Sequence, residues 1–417
     1  MKQTILFTLF IFLFIKGNSQ NTIDTLSHKD KALNVYIDCD YCDMSYLKTE
    51  ITVVNYVRDH NLAQVHVIVT SLQTGSGGTE FTFVFIGEKE FSGKADTLKF
   101  VSKPNAMEES YRIGIAKVMK LGLIPYIAKT PYADKLIINF EKDSTISVIP
   151  ETDKWHSWVF NLNANGSMNG QQLTKFVSVS GGFNASKVTD KWKINLDANT
   201  SYNNNFYVVP GETIESTSKS QSYSALFVRS LSNHFSAGLN MNASTSTFTN
   251  TKLSERFSPG IEYSVFPYSQ STHKQFRILY LVYGENVTYY DTTIYDKIKE
   301  LQFGESLTAN IVFKQEWGSL STSLIGSHYF YDFSKNNLSF NANINLNLFQ
   351  GLTLSIYAFA SLIHNQLYLP KAGASTEEIL LTLKSLQTSY SYYTSIGLSY
   401  TFGSIYNNIV NPRFTGN

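Results

Sequence analysis

The chain has 417 residues, of which 16% are charged and 14% aromatic, with 34 Lys plus Arg against 33 Asp plus Glu. The near-zero balance leaves no basic surface of the kind that binds nucleic acid, and the charged fraction lies below the ~25% usual in soluble domains. No apolar run reaches the roughly 18 residues that a membrane-spanning helix requires, which excludes helical membrane spans.

The first nineteen residues have the composition of a secretory signal peptide. Lys2 precedes an apolar run over residues 5–15, and small residues lie one and three positions before a cleavage site after Ser19. The alternative, a single membrane anchor, is disfavoured because a run of about a dozen residues cannot cross a bilayer as a helix. We therefore expect residues 1–19 to be removed and the rest to enter a disulfide-permissive compartment.

Residues 30–130 mix helical and strand periods and predict a small α/β domain in the order βαβββα. The predicted strands cover residues 34–38, 65–72, 80–88 and 97–101. The predicted helices cover residues 44–56 and 107–121, and Gly122 is expected to end the second helix.

Cys39 and Cys42 form a C-x-x-C motif between the first predicted strand and the first predicted helix. A helix amino terminus lowers the pKa of a thiol, as in disulfide oxidoreductases. A thioredoxin-like fold would need another helix where residues 65–101 predict three consecutive strands. A structural disulfide is therefore preferred, with redox catalysis and metal binding as alternatives. No second cysteine pair completes a zinc site.

Two polar segments of this domain are interpreted as structural. Residues 75–78 are glycine-rich, but neither a Lys-Ser/Thr pair nor a helix follows, which favours a hairpin turn over a phosphate loop. Arg58, Asp59 and His60 follow the first predicted helix. They are expected to be surface or capping residues because no partner residues converge on them in sequence.

The order of elements, with Val57-Arg58-Asp59, Ala63 and a strand over residues 65–70, resembles the small periplasmic domain at the amino end of the translocation protein TolB and its relatives. The resemblance covers residues 30–130 and rests on topology. It implies a docking module that works in the periplasm, has no catalytic residues and binds an unknown periplasmic protein. Residues 131–154, with a short predicted strand over 135–141, are interpreted as a linker.

From residue 155 to residue 403 apolar and polar side chains alternate over segments of ten or more residues. In the segment 338–348, Leu338 and Phe340 fall on one face while Asn341 and Asn343 fall on the other. Strands of soluble sandwiches average five or six residues, whereas about 9 to 11 tilted residues cross a bilayer. A backbone in lipid cannot leave hydrogen-bonding groups unpaired, so we expect a closed transmembrane antiparallel β-barrel.

The predicted strands of this barrel number about twelve, an even count as in bacterial barrels. They cover residues 156–167, 172–185, 190–206, 220–231, 234–248, 255–266, 273–289, 302–315, 318–331, 335–348, 352–368 and 389–402. Long connections over residues 208–219, 290–301 and 369–388 are expected on the outer side. Both ends of the barrel, and a tail over residues 404–417, are then expected in the periplasm.

The polar side chains of this alternation are expected to face the lumen. The candidates are Lys193, Asn195, Asp197, Glu262, Lys314, Asn341, Asn343 and Asn345. Charges of both signs in a narrow barrel favour a salt-bridged or plugged interior over a selective pore.

The last predicted strand carries a recognisable pattern. Ser395, Gly397, Tyr400 and Phe402 resemble the insertion signal of outer-membrane barrels. The resemblance implies the barrel assembly machinery as a partner during insertion, although fifteen residues, 403–417, follow the pattern where it usually ends the chain. More loosely, residues 177–199 and the strand spacing resemble a family of salt-induced outer-membrane proteins of unknown function.

No catalytic residue, cofactor site or metal site is predicted. A barrel lipid hydrolase would need a serine, a histidine and an asparagine side by side on the outer wall. In His234-Phe235-Ser236 the side chains of His234 and Ser236 are instead predicted to face the lumen. The sequence thus predicts a non-enzymatic outer-membrane protein that contacts lipid and anchors a periplasmic docking domain, with or without a narrow channel. An outer-membrane lipid hydrolase and a passive or selective porin are the alternatives.

Overall fold

The structure is a computed structural model of the chain. It describes residue 29, residues 31–74, 78–103, 106–138, 153–209, 212–315, 317–349, 351–373 and 385–403, and residues 408, 410 and 413. The predicted signal peptide, residues 1–19, lies outside the described residues. Within the described ranges, no helix is long and apolar enough to cross a membrane.

The amino-terminal part folds as a five-stranded mixed sheet with two helices. Its elements are β1 (Leu33–Asp38), α1 (Met44–Glu50), β2 (Val54–Tyr56), β3 (Val65–Gln73), β4 (Thr79–Gly87), β5 (Ala95–Val101) and α2 (Glu108–Ile127). The sheet order is β2-β1-β3-β4-β5. Strand β1 is parallel to β2 and β3, while β3, β4 and β5 form an antiparallel meander. We call this part the small domain.

The core of the small domain lies between one face of this sheet and the two helices. Phe83 and Phe85 of β4 are fully buried and join Leu47 of α1 and Met119 of α2 in a single apolar cluster. The alternation predicted for β4 therefore points its phenylalanines at the helices. This layer of helices gives the small domain a dry core of its own.

The prediction of one helix over residues 44–56 was wrong in its second half. Helix α1 ends at Glu50, and Val54–Tyr56 forms strand β2, which pairs in parallel with β1. Ile51, Thr52, Val53 and Val54 are β-branched residues, which lose side-chain freedom in a helix and suit a strand. The element order is thus βαββββα rather than βαβββα.

Gly122 does not end the second helix as expected, because α2 continues to Ile127. A Cβ atom at Gly122 would lie 2.0 Å from Cζ of Phe85, and one at Gly114 would lie 2.2 Å from Cζ of Phe100. Both glycines therefore let aromatic rings of the sheet pack directly against the helix backbone. Their role is close packing rather than helix termination.

The predicted strand over residues 135–141 is not formed in its described part. Ala133–Lys135 is a 3₁₀ turn, and residues 136–138 belong to no strand. The rest of that segment lies outside the described residues.

The carboxyl-terminal part is a twelve-stranded antiparallel sheet, and each predicted strand has a counterpart. The strands are β6 (Trp158–Gly170), β7 (Thr174–Val188), β8 (Trp192–Val209), β9 (Glu212–Ser230), β10 (Phe235–Ser246), β11 (Thr251–Ser264), β12 (Lys274–Tyr289), β13 (Lys299–Gln315), β14 (Gly318–Tyr329), β15 (Asp332–Phe349), β16 (Leu352–Ile363) and β17 (Tyr390–Tyr400). Each strand pairs with its neighbour in sequence, and among the described residues no pairing joins β6 to β17. We call this part the large sheet.

The two ends of the large sheet differ in their connections. The chain enters the sheet at Trp158 and leaves it at Tyr400 on the same end, which we call the proximal end; the opposite end is the distal end. The long connections, residues 290–298 and 364–389, are distal. The long loop predicted over residues 208–219 is instead strand almost throughout, because β8 extends to Val209 and β9 begins at Glu212.

The register of the large sheet is strongly staggered. Paired residues can be followed from Tyr390, at the distal start of β17, through Leu307 in β13 to Trp192, at the proximal start of β8. Residues that pair in a line across these ten strands therefore start at the distal end of β17 and finish at the proximal end of β8, a displacement of about one strand length. With ~3.3 Å per residue and ~4.8 Å between strands, this displacement corresponds to a strand tilt of roughly 35–40°.

Candidate functional site

One face of the large sheet carries the side chains that were predicted to face a lumen. The pairing register places them on a common face, which we call the polar face. They are Lys193, Asn195, Asp197, Glu262, Lys314, Asn341, Asn343 and Asn345.

Hydrogen bonds between neighbouring strands cross the polar face. Asp197 accepts hydrogen bonds from Asn184 Nδ2 at 2.6 Å and from Ser224 Oγ at 3.3 Å. Arg256 Nε donates to Glu285 Oε2 at 3.0 Å, and the guanidinium lies 4.3 Å from the centre of the Tyr283 ring. Charges of both signs are therefore paired on this face, which limits its net field.

The opposite face of the large sheet, which we call the apolar face, exposes a large side chain on every strand. In strand order these are Leu162, Phe183, Trp192, Tyr223, Met241, Phe257, Tyr280, Leu307, Leu324, Phe340, Leu362 and Ile396. Their exposed fractions run from 37% for Tyr280 to 82% for Leu162. An exposed apolar surface that spans twelve strands is far larger than the few hundred Å² that soluble monomers leave uncovered.

The small domain contacts the proximal end of the large sheet through the Arg58-Asp59 pair. Asp59 Oδ2 accepts a hydrogen bond from the backbone N–H of Gly351, in the turn between β15 and β16, at 2.7 Å. Arg58 Nη2 donates to the carbonyl oxygen of Gly403, just after β17, at 2.8 Å. The other carboxylate oxygen of Asp59 caps the turn that follows, accepting from the backbone N–H of Asn61 at 2.9 Å.

Sequence reasoning assigned Arg58 and Asp59 a surface or capping role, and the cap is present. Their second role, as contacts between the two parts of the chain, was missed. The partner of Asp59 lies 292 positions away in sequence, and backbone groups such as that of Gly351 leave no residue-type signal. In the structure, the contact also shows in the low exposure of the Asp59 side chain.

The chain after β17 returns to the edge strand of the small domain. Asn408 Oδ1 accepts from the backbone N–H of Tyr56 at 2.7 Å, and its Nδ2 donates to Asn55 Oδ1 at 2.9 Å. Strand β2 is an edge of the small-domain sheet, so this contact occupies a backbone donor that would otherwise be free. The chain on either side of β16 and β17 at the proximal end is thereby tied to the small domain.

A buried polar cluster lies on the face of the small-domain sheet that the helices do not cover. His66 of β3 is fully buried, and neither ring nitrogen has a hydrogen-bond partner among the described residues. Its ring lies 5.0 Å from that of Tyr36 and 5.7 Å from that of His60. Burial, and to a lesser degree the charge of His60, lowers the pKa of His66 to about 4.

The same cluster reaches towards the large sheet through Asp38. Burial and the neighbouring Asp40 raise the pKa of Asp38, while Lys314 and His60 act in the opposite direction. Burial, with contributions from Asp38 and Asp59, raises the pKa of Tyr36 to about 12. Lys314 belongs to the proximal end of β13 on the polar face, so the cluster lies on the side of the small domain that faces the large sheet.

Cys39 and Cys42 are joined by a disulfide, with their Cα atoms 5.6 Å apart. Both cysteines are partly buried and pack against the core of the small domain. The bridge closes the turn between β1 and α1. The side chain of Asp43, which follows it, caps α1 by accepting from the backbone N–H of Tyr46.

The residues that resemble an insertion signal lie on the last strand of the large sheet. Ser395 and Gly397 are on the polar face of β17, and Tyr400 ends the strand on the apolar face. Tyr400 and Phe402 stack with ring centroids 5.6 Å apart and are exposed. The pattern thus lies on a strand that, among the described residues, pairs on one side only, with β16.

Two histidines towards the distal end of the large sheet have polar side-chain partners, and they bear on the lipid-hydrolase alternative. His328 Nε2 lies 2.9 Å from Glu305 Oε1, and His364 Nδ1 lies 3.1 Å from Asn336 Oδ1, both towards the distal end. None of the hydrogen bonds in the described ranges joins a serine hydroxyl to a histidine ring. A histidine–carboxylate pair is therefore present on the apolar face, and no hydrogen bond among the described residues joins it to a serine hydroxyl.

Metal-binding residues do not converge in the part of the chain that the structure describes, where no group of three or more His, Cys, Asp or Glu side chains could hold an ion. The sequence matches no protein-family model and no curated protein. The site is thus defined by geometry alone: a two-faced sheet with a small domain fixed to its proximal end.

Proposed function

We propose that this chain is an outer-membrane β-barrel that holds a small docking domain against its periplasmic end. The observation that carries the proposal is the apolar face, with an exposed large side chain on each of twelve long strands. Burying such a surface in water would need a second layer, and the described residues provide one only for the small domain. A lipid environment accounts for the exposed face without a second layer.

The stagger of the strands supports closure of the sheet into a barrel. A tilt of roughly 35–45° is what a closed barrel requires, and the register of β8 to β17 already supplies it. Strands β6 and β17 expose backbone groups along their lengths, which would be costly in lipid unless they paired with each other. Both strands have odd-numbered residues on the polar face, so antiparallel pairing would keep the two faces continuous.

The contacts of the small domain support an anchoring role. Arg58 donates to Gly403 O and Asp59 accepts from Gly351 N–H at the proximal end, and Asn408, in the chain after β17, accepts from Tyr56 N–H. The sheet therefore holds the domain close to one opening of the proposed barrel, where the domain would meet another envelope component.

Site-specific labelling in intact cells tests location and orientation together. In a Cys39→Ser, Cys42→Ser background, a cysteine at the exposed distal position Ala372 should react with an impermeant maleimide in intact cells. A cysteine at the exposed helix position Lys117 should react only after the outer membrane is disrupted. Equal labelling of both positions in intact cells, or recovery of the chain in a detergent-free soluble fraction, would contradict the proposal.

Cysteine crosslinking across β6 and β17 tests closure. Asn165→Cys is combined in turn with a cysteine at 391, 393, 395 or 397, all on the polar face of β17, in the same cysteine-free background. One of the four pairs should form a disulfide in membranes, while a cysteine at Thr394, on the apolar face, serves as the out-of-phase control. Absence of crosslinking for all four pairs would leave the sheet open.

A narrow channel is a second candidate because the polar face would line the interior of a closed barrel. Twelve strands at the inferred tilt give a backbone radius of about 11–12 Å, much of which side chains would fill. Planar-bilayer recordings decide between the two candidates. Anchoring alone predicts no current at any voltage, whereas a channel predicts discrete conductance steps.

A further inference from the structure

A cavity of about 750 Å³ lies on the polar face at the proximal end of strands β8 to β12. Three successive proximal turns form its rim, at Thr189, at Ser232-Asn233 and at Tyr268. Small-molecule sites in proteins typically measure ~300–1,000 Å³. The cavity is therefore large enough for a small organic molecule.

The wall of this cavity is apolar although it belongs to the polar face. The aliphatic side chains that line it include Leu226 and Val228 on β9 and Leu279 and Leu281 on β12. Between them the register places Gly238 on β10 and Gly260 on β11. A Cβ atom at Gly260 would lie 2.3 Å from Cδ2 of Leu281, so that leucine side chain lies over the glycine. The result is an aliphatic slot in a face otherwise rich in Asn and Ser.

The rim of the cavity carries an arginine that is only loosely paired. Arg277 lies 3.9 Å from Glu262, and its Nε is buried with no hydrogen-bond partner among the described residues. Glu262, in contrast, also accepts from the hydroxyl of Tyr268 at 3.0 Å. Asp190 and Lys193 complete the charged groups of the lining, which balance in number. Any preference for an anion must therefore come from local pairing with the guanidinium of Arg277 rather than from net charge.

We propose that this cavity binds a single-chain amphiphile with an anionic head. The head accepts charge-assisted hydrogen bonds from the guanidinium of Arg277, whose side chain is partly exposed at the cavity. The alkyl chain lies in the slot between the aliphatic side chains of β9 and β12, where it is removed from water. This inference goes beyond the proposed function, because the described side chains bound the cavity wherever the chain is located.

Photo-crosslinking of the full chain in phosphatidylcholine nanodiscs tests the slot. The probe is dodecanoate with a diazirine in its chain, and adducts are mapped by peptide mass spectrometry with unmodified dodecanoate as competitor. We expect competable adducts on the peptides that contain Val228 and Leu279. Val228→Trp should reduce them at least tenfold by filling the slot, whereas Val312→Trp, on the polar face outside the cavity, should not.

The head group is tested with Arg277→Gln and a second probe, the corresponding diazirine-bearing dodecanol. Arg277→Gln should reduce labelling by the carboxylate probe at least tenfold and leave labelling by the alcohol unchanged, which also shows that the variant is folded. The proposal is overturned if adducts are confined to the apolar face or if Val228→Trp leaves them unchanged. Equal loss of both probes in Arg277→Gln would also overturn the assigned role of the arginine.

Discussion

The small domain and the large sheet use the same alternation of apolar and polar side chains with opposite results. In β4 of the small domain, Phe83 is 0% exposed because helix α2 covers that face. In β15 of the large sheet, Phe340 is 40% exposed because no described element covers its face. Alternation therefore reports only that a strand has two unlike sides. Whether the apolar side is dry, or lies in lipid, depends on the presence of a second layer.

The largest expected effect comes from truncating matched phenylalanines in the two regions. Phe83→Ala should destabilise the small domain by about 3–5 kcal/mol, since it removes apolar contact and leaves a cavity in a closed core. Phe340→Ala should cost only about 1–2 kcal/mol in a bilayer. The variant loses the free energy of transferring the phenyl ring from water into lipid, but lipid fills the space and no cavity remains. Hydrogen exchange followed by mass spectrometry reports both regions in one sample. Equal losses would mean that the apolar face is covered by protein, contrary to the comparison.

Adding a charge to either face of one strand sharpens the contrast between the faces. Leu324, on the apolar face near the middle of β14, and Ser323, next to it on the polar face, form a matched pair. Leu324→Arg should cost about 2–4 kcal/mol, as expected for a cation at mid-bilayer on the lipid side of a barrel. Ser323→Arg should cost less than ~1 kcal/mol because its face is wet. Reversible folding into vesicles in guanidinium measures both, and similar values for the two variants would argue against a lipid-facing side.

The pH response of the small domain tests its second covered face. His66 lies on the side of β3 away from the helices, yet it is fully buried with a pKa lowered to about 4. Its unfolded pKa is about 6.5, so between these values the unfolded chain binds a proton that the folded chain does not. Stability must therefore fall as the pH falls through this window, by about 2 kcal/mol between pH 7.5 and pH 5.

The His66→Leu variant isolates this contribution. The neighbouring Asp38 has a raised pKa and acts in the opposite direction as the pH falls. Both proteins contain Asp38, so its contribution to the pH dependence of stability cancels when the variant is compared with the parent, and the difference is the contribution of His66. Denaturant unfolding at pH 7.5 and pH 5, followed in the small domain by hydrogen exchange, should show a smaller pH dependence in the variant. An unchanged pH dependence would mean that His66 reaches water in solution.

The strands of the large sheet could be predicted because their signal is local and repeated. Residues such as Asn341, Asn343 and Asn345 alternate with apolar residues over a full strand, and pleated backbone allows only one arrangement of such a pattern. The small domain was harder. Residues 54–56 could belong to either a helix or a strand by residue type, and pairing with β1 places them in a strand.

Features that depend on contacts between remote residues could not be predicted from sequence. Glycine commonly ends helices, so Gly122 was predicted to end α2, and only the position of the Phe85 ring against it shows its packing role. In the same way, the hydrogen bond between Asp59 and Gly351 joins residues 292 positions apart in sequence. Such roles depend on which remote residues are close in space, and the types of the residues in a single sequence do not specify this.

The smallest expected effect concerns the contact that joins the two regions. Asp59→Ala removes the hydrogen bond to Gly351 and a cap of its own turn, and the lost hydrogen bond should weaken the junction by about 1 kcal/mol. Asp43→Ala is the matched control, because Asp43 caps α1 and has no hydrogen bond to the large sheet in the described residues. Both variants lose a cap, but only Asp59→Ala should speed amide exchange at Gly351 and increase the distance spread between spin labels at Lys117 and Ala372. If the two variants behaved alike, the small domain would be held by its other contacts, and the carboxylate of Asp59 would serve only its own turn.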